Sequence, residues 1–294
     1  MSKAPLVSVI TAVKNGEDTI KRCLQSVYMQ TYPNVQHVII DGNSTDNTKH
    51  ILCNSRLTFP QMVVVSEDDL GIYDAINKGI RASDGTFLLI LGSDDWLEPT
   101  GIDLLMASIK ENNADFAVGS AKMHSKICPQ LNKIWKINNF DYRLLTGGMP
   151  FSHQALLAST DCYKECGLYD MHYKISADYE WVKNLFLKKL KITIVKECVV
   201  NVSADGISAK SFYWKEEHQN QIFKYYKNPL LLRSIMSYIE YVNGELQLEE
   251  QEISQIISES TNNDITKSIA LILLDRLCKR THNKSLTTTN LKLN

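Results

Sequence analysis

The first 120 residues alternate short apolar runs with segments whose apolar residues recur at helical spacing. The apolar runs are residues 6–13, 35–40, 62–65 and 87–91. The helical segments are marked by Ile20, Cys23, Leu24 and Val27, by residues 46–57, by Ile72, Ile76 and Ile80, and by residues 102–109. Repeated strand–helix units with short connections are typical of a mostly parallel sheet with helices on both faces. The sequence therefore predicts the α/β class.

The pattern changes beyond about residue 115. Segments 114–120 and 192–202 have the character of strands, and segment 177–189 has the periodicity of an amphipathic helix. From residue 212 onward the chain is helical in character, without a strand signal. We therefore predict an α/β domain over residues 1–210 and a helical C-terminal region over residues 211–294.

Composition narrows the class of protein. The chain has 294 residues, 44% of them hydrophobic, and a net charge of −1, which argues against nucleic acid as a partner. No apolar run approaches the roughly 20 residues of a membrane-spanning helix, and the N-terminus lacks the apolar region of a signal peptide. The seven cysteines lack metal-ligand spacing. These features predict a cytoplasmic enzyme with reduced thiols.

An apolar strand runs directly into two adjacent carboxylates, Asp94 and Asp95. Open α/β sheets bind ligands at the carboxyl ends of their strands. Carboxylate oxygens held there suit Mg²⁺ or Mn²⁺, which normally bridges to substrate phosphates. The alternative is a turn followed by a helix N-cap, because aspartate is common in both.

The second predicted strand also ends in an acid, Asp41, which Gly42 and small polar residues follow. Such a carboxylate can accept hydrogen bonds from a base or a ribose, and the glycine permits close approach of the backbone. The alternative is an ordinary strand-to-helix turn with Asp46 as the N-cap. No G-x-G-x-x-G pattern follows the first strand, which disfavours a dinucleotide.

The third predicted strand is followed by Asp68, and the next helix carries Asp74 and Lys78. Asp74 and Lys78 are four residues apart, so the alternative is an exposed ion pair on a helix surface. Acids after three successive strands nevertheless predict one polar edge of the sheet, because parallel strands end at the same side.

Four segments together carry a more specific pattern. They read Val7-Ser8-Val9-Ile10-Thr11-Ala12-Val13-Lys14-Asn15, Asp41-Gly42-x-Ser44-x-Asp46, Asp69-x-Gly71-Ile72-Tyr73-Asp74-Ala75-x-Asn77-Lys78-Gly79 and Ser93-Asp94-Asp95. In this order and spacing they resemble glycosyltransferase family 2, over roughly residues 5–210. The resemblance implies the GT-A fold, in which a mostly parallel nucleotide-binding sheet is flanked by helices.

The resemblance also implies a nucleotide-sugar site. Its implied binding residues are Thr11, Asn15, Asp41, Ser44, Asp68, Asp74, Lys78 and Asp94. Thr11, Asp41 and Asp68 would line the uridine pocket, with Asp41 accepting from the uracil ring. The family's D-x-D region appears here with Ser93 as its first residue. Asp95 is then the expected ligand of Mn²⁺ or Mg²⁺, and Asp94 would contact the ribose or the metal's water shell.

A catalytic base is implied further along the chain. Ser176-Ala177-Asp178-Tyr179-Glu180-Trp181 resembles the family's Glu-Asp motif, with Ala177 in place of the first acid. Asp178 would remove the proton of the acceptor hydroxyl, and Glu180 is the fallback. Taken alone, an aspartate at this position is typical of a helix N-terminus, where the helix dipole favours it.

Two histidines and one C-terminal segment are further candidates for contacts. His153 and His218 are candidates for contact with the acceptor or a phosphate, although a lone histidine before a strand is more often structural. The segment around Ile265 and Ile269 has a basic end with Lys279 and Arg280. Such a helix either lies on an anionic membrane surface or packs against a partner with its basic end solvated.

The resemblance thus implies an inverting transferase that moves galactose or glucose from a UDP-sugar to a polyprenyl-diphosphate-linked sugar acceptor. We expect a β-linkage, in bacterial O-antigen or capsule assembly, at the cytoplasmic face of the inner membrane. The alternative is a nucleotide-sugar-binding protein with weak or no activity, because Ser93 and Ala177 replace acids. A nucleotidyltransferase ranks last, because Lys14-Asn15-Gly16-Glu17 is a poor phosphate loop.

Overall fold

The computed structural model describes residues 4–127, 129, 132–137, 149 and 151–206. The chain divides into two units, and all of the described residues belong to one of them. The predicted helical region 211–294 lies outside the described residues, so the predicted domain boundary stays a prediction. Within the part of the chain that is described, no helix combines the length and the hydropathy needed to cross a bilayer.

The first half of the described chain alternates strands and helices as predicted. In order, its elements are β1 (Val7–Val13), α1 (Ile20–Tyr28), β2 (Val35–Asp41), α2 (Thr48–Arg56), β3 (Met62–Ser66), α3 (Ile72–Arg81) and β4 (Phe87–Ile90). Almost every residue of β1 and β2 is buried, because helices cover both faces of the sheet.

The second half is more mixed. Its elements are β5 (Trp96–Leu97), α4 (Gly101–Asn112), β6 (Phe116–His124), β7 (Lys133–Trp135), β8 (Leu156–Ser159), α5 (Thr160–Cys166), α6 (Ala177–Leu187) and β9 (Ile192–Ser203). A 3₁₀ turn, His153–Ala155, precedes β8. Strands β5 and β7 were not predicted, because two or three residues are too few to show a period.

The nine strands of the described residues form one sheet, in the order β3-β2-β1-β4-β8-β6-β9-β5, with β7 paired to β6. Neighbouring strands are parallel in the part of the sheet with the order β3-β2-β1-β4. Strand β8 is antiparallel to both β4 and β6, whereas β9 is parallel to β6. The predicted α/β class is confirmed, and its parallel character belongs chiefly to the half that carries the strand-end acids.

The register of the parallel strands aligns their carboxyl ends. Val13 of β1 lies opposite Asp41 of β2, and Asp41 lies opposite Ser66 of β3. The loops that follow these three strands therefore start at the same level of the sheet. This alignment creates the polar edge that the sequence predicts.

A buried aromatic cluster packs α3 against α5, α6 and the connection between α5 and α6. Tyr163 stacks on Trp181 with their ring centroids 4.4 Å apart, and Tyr169 lies 5.6 Å from the same indole. Tyr73 of α3 stacks on Tyr169 at 5.7 Å. The cluster fixes the start of α6 relative to α3, since rigid rings interlock there.

Helix α3 approaches the sheet closely at Gly79. A Cβ atom at this position would lie 2.4 Å from Cγ2 of Ile10 and 3.3 Å from Cγ1 of Ile40. Both isoleucines are fully buried and stiff at χ1, so neither can swing away from an added methyl group. Glycine is therefore the residue that lets α3 lie directly on β1 and β2.

We expect Gly79→Ala to lower the free energy of unfolding by about 1–3 kcal/mol, because the added methyl group overpacks this contact. Helix propensity alone would give the opposite sign, a gain of about 1 kcal/mol. Urea denaturation followed by circular dichroism measures the change, with Arg81→Ala on the exposed side of α3 as the control. Equal or higher stability in Gly79→Ala would contradict the described packing.

Candidate active site

Hydrogen bonds join the loops after β1 and β2 into one rim. The Asn15 side chain accepts from the backbone N–H of Thr45 at 2.9 Å, and Ser44 Oγ accepts from the backbone N–H of Asn15 at 2.8 Å. Thr48 Oγ1 accepts from Gly16 N at 2.9 Å. Asn15 has φ 52°, a left-handed conformation that asparagine tolerates better than most residues. The structure thus brings the predicted residues Asn15 and Ser44 together.

The carboxylate of Asp41 accepts hydrogen bonds from this rim. Its side chain is fully buried, and Oδ1 accepts from both the backbone N–H and the hydroxyl of Ser44. Oδ2 accepts from Ser66 Oγ at 2.7 Å, which links the end of β3 to the same carboxylate. Hydrogen bonds compensate this buried charge. In this structure Asp41 organises the predicted nucleotide pocket from within the protein.

Thr11 lies away from the rim. It is fully buried, and its hydroxyl is 3.0 Å from Nε2 of His37 and 3.7 Å from Sγ of Cys23 in α1. Side chains alternate between the two faces of a strand, and Thr11 lies on the face that α1 covers. This placement does not support the prediction that the Thr11 side chain lines the uridine pocket.

Two of the acids that follow β3, Asp68 and Asp69, occupy different positions. Asp68 is exposed and accepts from Nδ2 of Asn43 at 3.1 Å. Oδ2 of Asp69 lies over the end of β2, only 2.1 Å from where a Cβ atom of Gly42 would be, and Lys14 Cδ lies 3.4 Å from that point. Asp69 belongs to the family pattern but received no site role from the sequence, because three consecutive acids do not indicate which one faces the rim.

Asp74 and Lys78 hold the loop between β3 and α3. Asp74 Oδ2 accepts from the backbone N–H of Leu70 at 3.0 Å and lies 3.1 Å from Nζ of Lys78. Nζ of Lys78 also lies 3.0 Å from Glu67 Oε1 and donates to the carbonyl of Asp68 at 2.7 Å. The hydrogen bond from Leu70 lowers the pKa of Asp74, and the contact with Glu67 raises the pKa of Lys78. Both predicted residues therefore lie at the rim, in their charged forms.

Asp94 and Asp95 converge after β4. Asp95 is only 2% exposed, and its Oδ1 accepts from the backbone N–H of Ser203 at 2.8 Å. Its Oδ2 would lie 2.4 Å from a Cβ atom on Gly92, and Asp94 Oδ1 would lie 3.1 Å from the same point. Burial and the neighbouring charge of Asp94 raise the pKa of Asp95 to about 7. Ionisation of both carboxylates at once is therefore disfavoured without a nearby cation.

Such a pair fits a divalent cation in a particular way. Among the described residues, no group of three or more His, Cys, Asp or Glu side chains could hold a metal ion alone. Mg²⁺ and Mn²⁺ sites in phosphate enzymes commonly use one or two carboxylates and complete the shell with substrate phosphates and water. Asp94 and Asp95 fit this kind of site, in which the cation and a diphosphate bind together.

Arg22 of α1 supports the same turn. Its Nη2 donates to the carbonyl of Asp94 at 2.8 Å, and its guanidinium carbon lies 3.5 Å from the ring centroid of Trp96. The Trp96 ring lies 4.8 Å from the ring of His124. Sequence reasoning missed Arg22, because 72 residues separate it from Asp94 and no local pattern connects them.

Asp178 lies in the first turn of α6 and is half-buried. Its Oδ1 accepts from the backbone N–H of Tyr179 at 2.8 Å and lies 3.2 Å from the hydroxyl of Tyr73. The single proton of the Tyr73 hydroxyl is shared between Oδ1 of Asp178 and the carbonyl of Ile175. Among the described residues, no donor contacts Oδ2 of Asp178. One oxygen is therefore held in place, while the other can act as a base.

The other residues predicted for the catalytic or acceptor side are less available than Asp178. Glu180 is buried and lies 3.0 Å from Nζ of Lys183, so its carboxylate is engaged in an ion pair. His153 is buried in the aromatic cluster with its Nε2 2.7 Å from the hydroxyl of Tyr169. Burial lowers the pKa of His153. This packing does not support its predicted contact with acceptor or phosphate, and His218 lies outside the described residues.

Comparison with known sequences identifies related proteins. The model of "Glycosyl transferase family 2" matches residues 8–162. A PGL/p-HBAD biosynthesis glycosyltransferase of Mycobacterium tuberculosis is 30% identical over 200 residues, which cover 67% of this chain and 76% of that protein.

Comparison with solved structures agrees with the fold. S. aureus TarS, residues 1–349, aligns with a TM-score of 0.61 and 18% identity over 86% of this chain and 80% of its own. The mannosyltransferase PcManGT from Pyrobaculum calidifontis, in complex with GDP-Man and Mn²⁺, aligns with a TM-score of 0.56 and 18% identity over 96% and 82%. These neighbours have the GT-A fold, and the described sheet has the same architecture. The match to the family model and the 30% identical relative show that the chain belongs to glycosyltransferase family 2.

Proposed function

We propose that this glycosyltransferase takes a hexose, galactose or glucose, from a UDP-sugar and forms a β-linkage in a single displacement. The observation that carries the proposal is the state of Asp178, a half-buried carboxylate with Oδ1 held and Oδ2 open. It contacts Tyr73, which stands at the start of α3 beside the rim. A carboxylate able to take a proton is what an inverting reaction requires of the enzyme, because a single displacement needs no enzyme nucleophile.

We propose the following reaction. Asp178 Oδ2 takes the proton of the acceptor hydroxyl as the acceptor oxygen attacks the anomeric carbon. The bond from that carbon to the diphosphate oxygen breaks, and the electron pair leaves with UDP. An α-linked donor therefore gives a β-glycoside. A divalent cation at Asp94 and Asp95, when bound, supplies positive charge for the departing diphosphate.

A uridine donor is supported by the chemistry of the rim. The Asp69 carboxylate over Gly42 offers an acceptor for the imide N–H of uracil, and Lys14 offers a cation beside it. Structures of TarS have been solved with UDP and with UDP-GlcNAc, whereas PcManGT was solved with GDP-Man. A guanosine donor is thus the natural competitor to test.

A lipid-linked acceptor is supported by exposed apolar side chains around the site. Leu70 is 88% exposed and Ile72 46% exposed, at the start of α3, and Met171 is 53% exposed, in the connection that leads to Asp178. Exposed apolar side chains mark a surface for an apolar ligand when they form one patch, and Leu70 and Ile72 are two residues apart in the chain. We therefore propose a polyprenyl-diphosphate-linked sugar as the acceptor, in bacterial O-antigen or capsule assembly at the cytoplasmic face of the inner membrane.

The competing function is a nucleotide-sugar-binding protein with weak or no activity. Its support is the replacement of two family acids by Ser93 and Ala177. Ala177 is only 1% exposed, so an acid at this position would be buried in the packing of α6. The alternative differs from catalysis in a single measurable respect, which is release of UDP.

A donor panel separates these functions. The full chain with Mn²⁺ and a synthetic polyprenyl-diphosphate-linked N-acetylhexosamine is incubated with UDP-glucose, UDP-galactose, their N-acetyl forms and GDP-mannose. We expect acceptor-dependent release of UDP with a UDP-hexose. Release from GDP-mannose alone would overturn the uridine donor, and binding without any release would favour the competing function.

We expect Asp178→Asn to reduce turnover by at least about 100-fold, because the amide cannot take a proton. The affinity for UDP should stay within about twofold, since Asp178 acts in the chemical step. The matched control is Asp161→Asn, which removes the charge of an exposed acid on α5. Near-normal turnover in Asp178→Asn would move the role of base to another acid.

We expect Mn²⁺ to raise the affinity for UDP at least about tenfold in the wild-type chain, because a cation held by Asp95 would supply positive charge for the diphosphate. Asp95→Asn should abolish this gain while leaving the affinity for UDP without metal largely unchanged. Isothermal titration calorimetry with and without Mn²⁺ measures both quantities. Equal UDP affinities with and without the metal in the wild-type chain would refute the metal site.

A further inference from the structure

Helix α3 contacts the two segments that carry the proposed chemistry. On one side, Asp74 and Lys78 hold the loop after β3, which belongs to the donor rim. On another side, Tyr73 and Asn77 contact the connection 167–176 that leads to Asp178. Each residue that contacts the connection is followed directly by one that contacts the loop of the rim. The rim and the proposed base are therefore both held by one helix.

Asn77 anchors the beginning of that connection. Its Nδ2 donates to the carbonyl of Tyr169 at 2.8 Å, and its Oδ1 accepts from the N–H of the same residue at 3.0 Å. The amide is buried, and both of its polar atoms are engaged. A paired, buried contact of this kind resists displacement, because breaking it would leave polar groups unsatisfied.

Tyr73 contacts the end of the connection, at the base itself. Its ring is buried and stacks on Tyr169, so the position of its hydroxyl is set by packing. The single proton of the hydroxyl is shared between the carbonyl of Ile175 and Oδ1 of Asp178, which lies 3.2 Å away. Burial, and then the charge of Asp178, raise the pKa of Tyr73 well above its usual value. The phenol therefore remains protonated and able to donate at neutral pH.

We propose that Tyr73 is a positioning residue, whose hydroxyl fixes Oδ1 of Asp178 so that Oδ2 faces the acceptor hydroxyl. The inference rests on the proposed role of Asp178 as the base. The backbone N–H of Tyr179 is the other described donor to Oδ1, and a single donor would leave the carboxylate free to turn about its Cβ–Cγ bond. The proton of Tyr73, shared with the carbonyl of Ile175, adds a second restraint on Oδ1 from another helix. Misplacement of a reacting group by about 1 Å can cost on the order of 100-fold in rate.

The first experiment compares two buried tyrosines. We expect Tyr73→Phe to lower kcat by about 10–100-fold and to leave the KM for the UDP-sugar within about twofold, because the contacts of Asp74 and Lys78 are unchanged. Tyr163→Phe is the matched control. Its hydroxyl also lies in the aromatic cluster, but it is 3.5 Å from the hydroxyl of Tyr169 and does not contact Asp178. We expect this control to retain wild-type kcat.

The second experiment is a double-mutant cycle with Asp178→Asn. If Tyr73 acts through Asp178, the double variant should turn over no more slowly than Asp178→Asn alone. Additive losses would overturn the proposal, as would a Tyr73→Phe variant with wild-type kcat or with an effect only on KM. Thermal unfolding of every variant separates these outcomes from a loss of fold.

The cycle also separates this inference from the proposed function. If Asp178→Asn keeps near-normal turnover, the role of base has failed, and the positioning role of Tyr73 fails with it. If Asp178→Asn is slow while Tyr73→Phe is as fast as the wild-type chain, the base is upheld and only the inference about Tyr73 is overturned.

Discussion

The parallel register of β1, β2 and β3 is the constraint on which the rest of the structure depends. It sets Val13, Asp41 and Ser66 side by side, so that the three following loops begin at one edge of the sheet. Hydrogen bonds can then join those loops into a rim around the buried Asp41 carboxylate. A shift of one residue in either pairing would turn that carboxylate to the other face of the sheet.

Several carboxylates lie close together at this edge of the sheet. Asp95 is buried beside Asp94, and the rim adds Asp68 and Asp69. Burial, and then the charge of Asp94, raise the pKa of Asp95, so its ionised form is disfavoured unless positive charge binds nearby. Perturbed carboxylates in this position are typical of functional sites, where a ligand supplies the missing charge. A divalent cation with a diphosphate has the required sign and shape.

Local features explain what the sequence could predict. Apolar runs and helical spacing mark β1 to β4 and the helices between them, and an acid after a strand marks Asp41, Asp94 and Asp95. The contacts that order the site are not local. Tyr73 meets Asp178 across 105 residues, and Thr11 faces the core rather than the rim because of the side on which α1 packs. Only tertiary packing decides such contacts, so periodicity and motif spacing cannot indicate them.

The account as a whole requires that the base and the diphosphate site act on one bound donor. A crystal structure of the chain with Mn²⁺ and a non-transferable UDP-sugar tests this directly. We predict that the metal will be bound by Asp95 and both phosphates, with Oδ2 of Asp178 facing the anomeric carbon on the side opposite the diphosphate. A metal bound away from Asp95, or an Asp178 carboxylate on the same side as the leaving diphosphate, would contradict the account.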